Sequence, residues 1–484
     1  MTRRPNVVLV VMDTMRNRSA SEDVTPTLAD LRRGGTGFTN AFSTAPWTVP
    51  SHASLFTGTY PSRHGTHGDH PALRDTLRSL PECFADEGYE TIGFSNNTWI
   101  TDEFDFDRGF ARFHRGWQYV QSETDMGPVL RSESLGEKIE VTRERLAAGN
   151  PLANLANLLY AELFQSLGDD GATRTTERVR RWLTQRGDDR PFFLFLNYIE
   201  PHVPYDPPRD HADPYLPDRI DYEEANAIRQ APRAYDVDDY DLSREEFAAL
   251  RGLYLGELSY ADEHLAELRA SLVKAGVWDD TVLVICGDHG ENIGDHGFFG
   301  HQYTVSDTVL RVPLVASGGP FDGGGRRTDL VQILDLAVTL LDAAGIDAPA
   351  FRDQQQGQSL HPAVAADPRE AIFAEYLAPQ PPLEALESRF EAVPDRVRSY
   401  YRTLRAVRTR RWKYVRGGDG SEALYRVDQD PAESRDRLDD HAATARRLDD
   451  RLDRWLASFE HAEPGADVDI TDVTLERLAE LGYR

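Results

Sequence analysis

A doubly wound α/β fold, with a mainly parallel sheet flanked by helices and a small α+β subdomain at the C-terminal end, is what this sequence predicts. Two observations carry that expectation. Short, nearly continuous apolar runs recur along the chain with helical patterns between them, and polar residues capable of chemistry stand directly after those runs. Such runs read as strands covered on both faces, as in a parallel sheet, and their alternation with helices is the pattern of a doubly wound fold.

In order, VVLVVM before Asp13 is the first strand, and TPTLADLRRGG is a helix with Thr25 as cap and Pro26 in its first turn. TIGF before Ser95 and FFLFLNYI before Glu200 are the next strands, with a helix at 173–187 between them. A long amphipathic helix at 244–275 precedes the strand TVLVIC, and VPLVAS before Gly318 follows it. DLVQILDLAVTLLDAAG reads as one helix closing at Gly345. Residues 205–243, rich in Pro, Asp and Tyr, read as an irregular insertion, a lid or substrate rim. The main domain is expected over residues 1–370. AIFAEY, LRAVRTRRWKYVR, ALYRVDQDP and an Asp/Arg-rich helix at 440–459 then form a subdomain over 371–484.

The net charge of −27, from 81 acidic and 54 basic residues, argues against nucleic acid or an anionic membrane as partner. No apolar run reaches the ~18 to 20 residues of a membrane span. Three lysines against 51 arginines, with the acidic excess, read as adaptation to high salt, though a G+C-rich genome produces the same bias. Cys83 and Cys286 are far apart, so no disulfide is expected and a reducing, cytoplasmic setting is the default. The apolar run after TRRP is too short for an export signal and ends at Asp13.

In open α/β sheets ligands bind at the carboxyl ends of the strands. Asp13, Asn96 with Asn97, His202, and Asp288 with His289 all stand there. A charged Asp13 at the end of a buried strand is costly without a cation or hydrogen-bond donors, and Asp288 and His289 in GDHGE offer a metal one oxygen and one nitrogen. Thr48, in APWTVPSHASLFTG, opens a helix whose free N–H groups favour an anion. Its hydroxyl is either a cap or a metal-activated nucleophile. Asn96 and Asn97 are either donors to a non-bridging oxygen or turn formers. His64, His67 and His70 invite a second metal site, with local packing as the plainer role.

The stretch TVPSHASLFTGTYPSRHG resembles the signature of the sulfatase family, within the alkaline phosphatase superfamily. RPNVVLVVMDTMR is similar to the family's opening strand, GVWDDTVLVICGDHGENIGDHGFFGH with VLRVPLV to its second metal-binding region, and LRAVRTRRWKYV, ALYRVDQDPAE and the terminal LAELGY to its C-terminal subdomain. The resemblance implies an alkaline-phosphatase-like fold and one divalent cation, manganese, zinc or calcium, held by Asp13, Thr48, Asp288 and His289. It also places His202 near the leaving-group oxygen and His301 where many members have a Lys that contacts the transferring group; either imidazole can serve as general acid, with His202 expected to protonate the leaving group and His301 to stabilise charge.

Three departures from the family pattern matter. Thr14 stands where members usually carry a second Asp, and His52 where the signature has an Arg. Thr48 replaces the Cys or Ser that becomes formylglycine, so no formylglycine is expected. The resemblance and its departures together imply a metal-dependent hydrolase of sulfate or phosphate esters acting through Thr48 and a covalent intermediate, on an anionic ester or glycan. Related phosphoglycerol transferases use threonine, which makes a transferase acting on a glycan or lipid head group the alternative, and a catalytically silent binding protein a third.

Overall fold

A computed structural model describes residues 4–116 and 171–463. In chain order its strands are β1 (Asn6–Met12), β2 (Thr36–Phe42), β3 (Glu90–Ser95), β4 (Arg112–Arg115), β5 (Phe192–Tyr198), β6 (Thr281–Gly287), β7 (Asn292–Ile293), β8 (Phe299–Gly300), β9 (Arg311–Ser317), β10 (Gly325–Gln332), β11 (Ala371–Tyr376), β12 (Leu404–Thr409), β13 (Lys413–Gly417) and β14 (Glu422–Tyr425). Eight of them form one sheet in the order β10-β2-β9-β6-β1-β5-β3-β4.

The sheet is mainly parallel, as the apolar runs require. β1 is buried throughout, with Val7, Leu9 and Val11 in the core on one face and Val8, Val10 and Met12 in the core on the other. That two-sided burial is why its sequence is a continuous run rather than an alternation. β1 pairs in parallel with β5 and β6, and the register sets Met12 beside Tyr198 and Gly287. The residues that come after these three strands therefore emerge side by side.

Two expectations about the sheet need correction. VPLVAS (β9) runs antiparallel to both neighbours, β2 and β6. DLVQ belongs to strand β10, paired in parallel with β2, and the helix begins only at Asp335. The Asp335 carboxylate, buried and clamped by Arg369 at 2.6 Å, accepts the Gln332 amide and so ends the strand where the helix starts. The long helix occupies Arg244–Lys274, opened by a Ser243–Glu246 capping box. The insertion 205–243 holds the short helices Arg209–Ala212, Tyr222–Asn226 and Pro232–Asp236, the first two packed on the long helix and the third on β8.

β11–β14 form an antiparallel sheet covered by helix Ala442–Leu456. A buried quartet ties it to the main sheet: Lys413 lies 3.1 Å from Asp307 and 2.8 Å from Glu433, and Arg408 lies 2.9 Å from Asp307. The terminal LAELGY lies outside the described residues. Cys83 and Cys286 are both free and buried. Among the described residues no helix is long and apolar enough to cross a membrane.

Candidate active site

Asp13, Asp288 and His289 converge where β1 and β6 end, each offering one ligand atom within 4.8 Å of the others. All three are fully buried. Asp13 Oδ2 accepts the Asn97 amide at 2.6 Å, and Asp288 Oδ1 accepts the backbone N–H groups of Thr14 (3.2 Å) and His289 (2.8 Å). The remaining oxygens, Asp13 Oδ1 and Asp288 Oδ2, make no hydrogen bond of ordinary geometry. They lie 3.6 and 3.5 Å from His289 Nε2. His289 Nδ1 is 2.9 Å from the Gly290 carbonyl, which fixes the ring proton there and leaves the Nε2 lone pair facing the carboxylates.

Two buried oxygens without hydrogen-bond partners and an imidazole lone pair turned toward them are what a divalent cation requires. The electrostatics agree. Burial, then the charge of Asp288, pushes the Asp13 carboxyl well above its usual range, and burial pushes Asp288 up to about 8. Burial, followed by the neighbouring His301, holds His289 well below the ordinary imidazole value. Carboxylates crowded together this way need a neutralising charge.

Thr48 is the first residue of helix Thr48–Thr57, with Trp47 at the capping position, so its hydroxyl is not spent on a cap. Its Oγ1 lies 3.3 Å from His289 Nε2. His52, one turn on, places Nδ1 at 3.0 Å from the Thr48 carbonyl and receives the Asn197 amide at Nε2, 3.4 Å away. Its Nδ1 also lies 3.5 Å from Asp288 Oδ2, so it ties the first turn of this helix to the carboxylates.

His301 lies beside His289, ring centroids 4.6 Å apart and planes tilted by 53°, and His202 meets His301 edge-on at 5.5 Å. His301 Nδ1 is 3.1 Å from Glu291, and His202 Nδ1 is 2.6 Å from the Val203 carbonyl. Burial lowers their pKa values to about 3 and about 4, aided by Arg233 and His301 respectively.

The two asparagines part company. Asn97 orients Asp13, and its own oxygen accepts the Trp99 amide. Asn96 turns its oxygen to the helix Ala172–Gln185, where Thr175 donates to it at 2.8 Å, and its buried Nδ2 makes no hydrogen bond. Thr14 also turns away: its hydroxyl donates to the Pro201 carbonyl at 3.0 Å, and only its backbone N–H serves the site. A φ of +54° is costly for a β-branched residue. His64 is packed between Ser54 and the Thr66 amide, and His67 faces His70 across an isolated bridge.

Two neighbours were not singled out from the sequence. Glu291, in GDHGE, stands two residues after His289 and is fully buried, a position the strand-end rule could have flagged. Arg233 comes from the insertion, bonded to Gln302 and 2.7 Å from Asp236. Nothing in PRAYD marks it.

The sulfatase family profile matches residues 5–346, and the profile described as N-sulphoglucosamine sulphohydrolase, C-terminal, matches residues 294–459. The choline-sulfatase of Rhizobium meliloti (strain 1021) is 25% identical over 455 residues, covering 89% of this chain and 82% of the relative. Among solved structures, the phosphonate monoester hydrolase of Agrobacterium radiobacter superposes with a TM-score of 0.69 at 21% identity, covering 94% of this chain and 96% of that one. BT4656 in complex with its substrate D-glucosamine-2-N,6-O-disulfate superposes with a TM-score of 0.67 at 18% identity, covering 94% and 98%. With the profile spanning most of the chain and a buried Asp/Asp/His group at the strand ends, this protein belongs to the sulfatase family of ester hydrolases.

Proposed function

We propose that this protein hydrolyses sulfate, phosphate or phosphonate esters through Thr48 as nucleophile and a covalent Thr48 ester. The observation that carries the reading is the position of the Thr48 hydroxyl, 3.3 Å from His289 Nε2 and committed to no cap. Asp13, Asp288 and His289, with Thr48, would hold one divalent cation, manganese, zinc or calcium. When bound, the cation supplies charge neutralisation and lowers the pKa of the nucleophile's hydroxyl.

The chain's own groups do the rest. Thr48 Oγ1 gives up its proton, which ends on the departing alcohol, and bonds to sulfur or phosphorus, while the bond from that centre to the alcohol oxygen breaks. The neutral His202 ring, its Nδ1 held by the Val203 carbonyl, relays at Nε2 the proton released by Thr48 to the departing oxygen, and His301 beside it faces the transferring group as a neutral polar ring. Water then attacks the same centre, one of its protons returns to the Thr48 oxygen as that bond breaks, and the freed sulfate, phosphate or phosphonate departs carrying the new oxygen. An unmodified threonine cannot form an aldehyde hydrate, so no formylglycine takes part. The resemblance to a phosphonate monoester hydrolase favours including phosphorus centres, and a glycan ester is the substrate class suggested by the disulfated glucosamine bound to BT4656.

The test is turnover of nitrophenyl sulfate, nitrophenyl phosphate and bis-nitrophenyl phosphate with each metal in turn, beside Thr48→Ala. Metal-dependent turnover of at least one ester that disappears in Thr48→Ala supports the reading. Turnover that survives the substitution refutes it.

A further inference from the structure

Glu291 and His301 flank the hairpin of β7 and β8. Antiparallel pairing sets Asn292 opposite Gly300, so Glu291, just before β7, and His301, just after β8, emerge at the same end, and His301 Nδ1 comes to 3.1 Å from Glu291. That contact fixes one edge of the ring. The backbone that carries the ring has no such support from secondary structure, because His301 to Tyr303 lie outside any strand or helix. Two residues of this segment are left-handed, Gly300 at φ +99° and Tyr303 at φ +67°. An aromatic residue holds that conformation only where its surroundings impose it.

Arg233 supplies those surroundings. It comes from helix Pro232–Asp236 of the insertion and is only 4% exposed. Its Nη2 donates to the Gln302 side-chain oxygen, and its guanidinium carbon lies 5.2 Å from the centre of the Tyr303 ring. A methyl group at Gly300 would come within 2.8 Å of the same Nη2. One side chain therefore packs against the residue before His301 and the two after it.

The guanidinium is fixed on its other side as well. Nη1 lies 2.7 Å from Asp236, whose carbonyl accepts Arg396 Nη1 at 2.9 Å from the C-terminal part of the chain. A planar fork with a flat face meets a carboxylate, an amide oxygen and an aromatic ring together, which the single ammonium of a lysine does not. Burying a charge is costly even when it is paired. Beyond its pairing with Asp236, what this one gains is a hold on the segment that carries His301.

We infer that Arg233 is a positioning residue for His301: by holding Gly300, Gln302 and Tyr303 it sets where the imidazole lies between Glu291 and His289. That this hold serves ester hydrolysis rests on the reading above; the hold itself does not.

The experiment compares two variants of the full chain with wild type. Arg233→Lys keeps a charge for Asp236, and Arg233→Met combined with Asp236→Asn removes the ion pair as a pair, so neither leaves a lone carboxylate in the core. The first readout is the imidazole nitrogen NMR spectrum, with the His301 ring assigned by its loss in His301→Gln. Its signals should shift in both variants while those of His64, packed between Ser54 and Thr66, stay in place. The second is kinetics on whichever nitrophenyl ester is turned over. There kcat should fall about 10- to 100-fold with KM changed less, and the same substitutions in a His301→Gln background should cost little more. Unmoved His301 signals, a shift shared by His64, or an equal fall in kcat with and without His301 overturns the assignment. Shifted His301 signals in a protein that turns over no ester sink the hydrolase reading and leave the hold of Arg233 on the ring standing.

Discussion

The Thr48 hydroxyl and His289 Nε2 lie 3.3 Å apart although 241 positions separate them in the chain. One opens a buried helix and the other stands just past the end of β6, so the contact exists only because helix and sheet edge are packed as layers. It joins a candidate nucleophile to a candidate metal ligand.

Replacing Thr48 by Ala should lower ester turnover by at least about 10³-fold, whereas Thr48→Ser, which keeps the hydroxyl, should retain most of it. Initial rates on the same nitrophenyl esters measure both. Mass spectrometry of the peptide spanning residue 48 should find unmodified threonine. An aldehyde there would mean that the nucleophile is made rather than encoded.

Metal loading should raise thermal stability, because a cation binds the folded carboxylates and not the unfolded chain. At a hundredfold excess over its dissociation constant that is about 2.7 kcal/mol. Asp13→Asn removes a carboxyl whose ionisation burial and Asp288 oppose, so the metal-free variant should melt at or above wild type and lose the shift with metal. Melting scans with manganese, zinc and calcium read this directly, and an equal shift in the variant would rule Asp13 out as a ligand.

His64 predicts a pH effect remote from the carboxylates. Burial, then the charge of His67, lowers its pKa to about 3 from 6.5. Its Nδ1 accepts the Thr66 amide and its Nε2 meets Ser54, which suits only the neutral ring. Below pH 6.5 the unfolded chain binds a proton that the folded chain refuses. Stability should fall as pH drops from 6.5 toward 3, by up to about 1.4 kcal/mol per unit. Urea unfolding of wild type against His64→Gln should show the slope reduced in the variant, and parallel slopes would assign the effect elsewhere.

Lys413 is fully buried between Asp307 and Glu433. Lys413→Met leaves one or both carboxylates unpaired and should cost about 3–5 kcal/mol. The triple variant adding Asp307→Asn and Glu433→Gln should recover a large part of that loss. Denaturant unfolding supplies the numbers, and a loss the triple variant fails to recover would locate the cost in packing rather than charge.

Much of the site was legible before folding was considered. Asp13, Asp288 and His289 stand at the ends of buried apolar runs, and a charge at that point needs a partner. Parallel pairing of those runs in matched register brings their ends together. Other features were not legible. The composition of VPLVAS is the same whichever way the strand runs, so its antiparallel direction came only with its neighbours. GRRTDLVQ lies half-exposed at the sheet edge and lacks a continuous apolar run.

The sequence by itself determined the alternation of buried strands with helices and the residues standing at their ends, because each depends on local pattern and on the cost of burying charge. Tertiary structure alone decided which of Asn96 and Asn97 meets Asp13, that Thr14 turns its hydroxyl to Pro201, and that Arg233 lies against Gln302 and Tyr303. Adjacent residues on extended chain point to opposite sides, and only packed neighbours decide which side becomes the site.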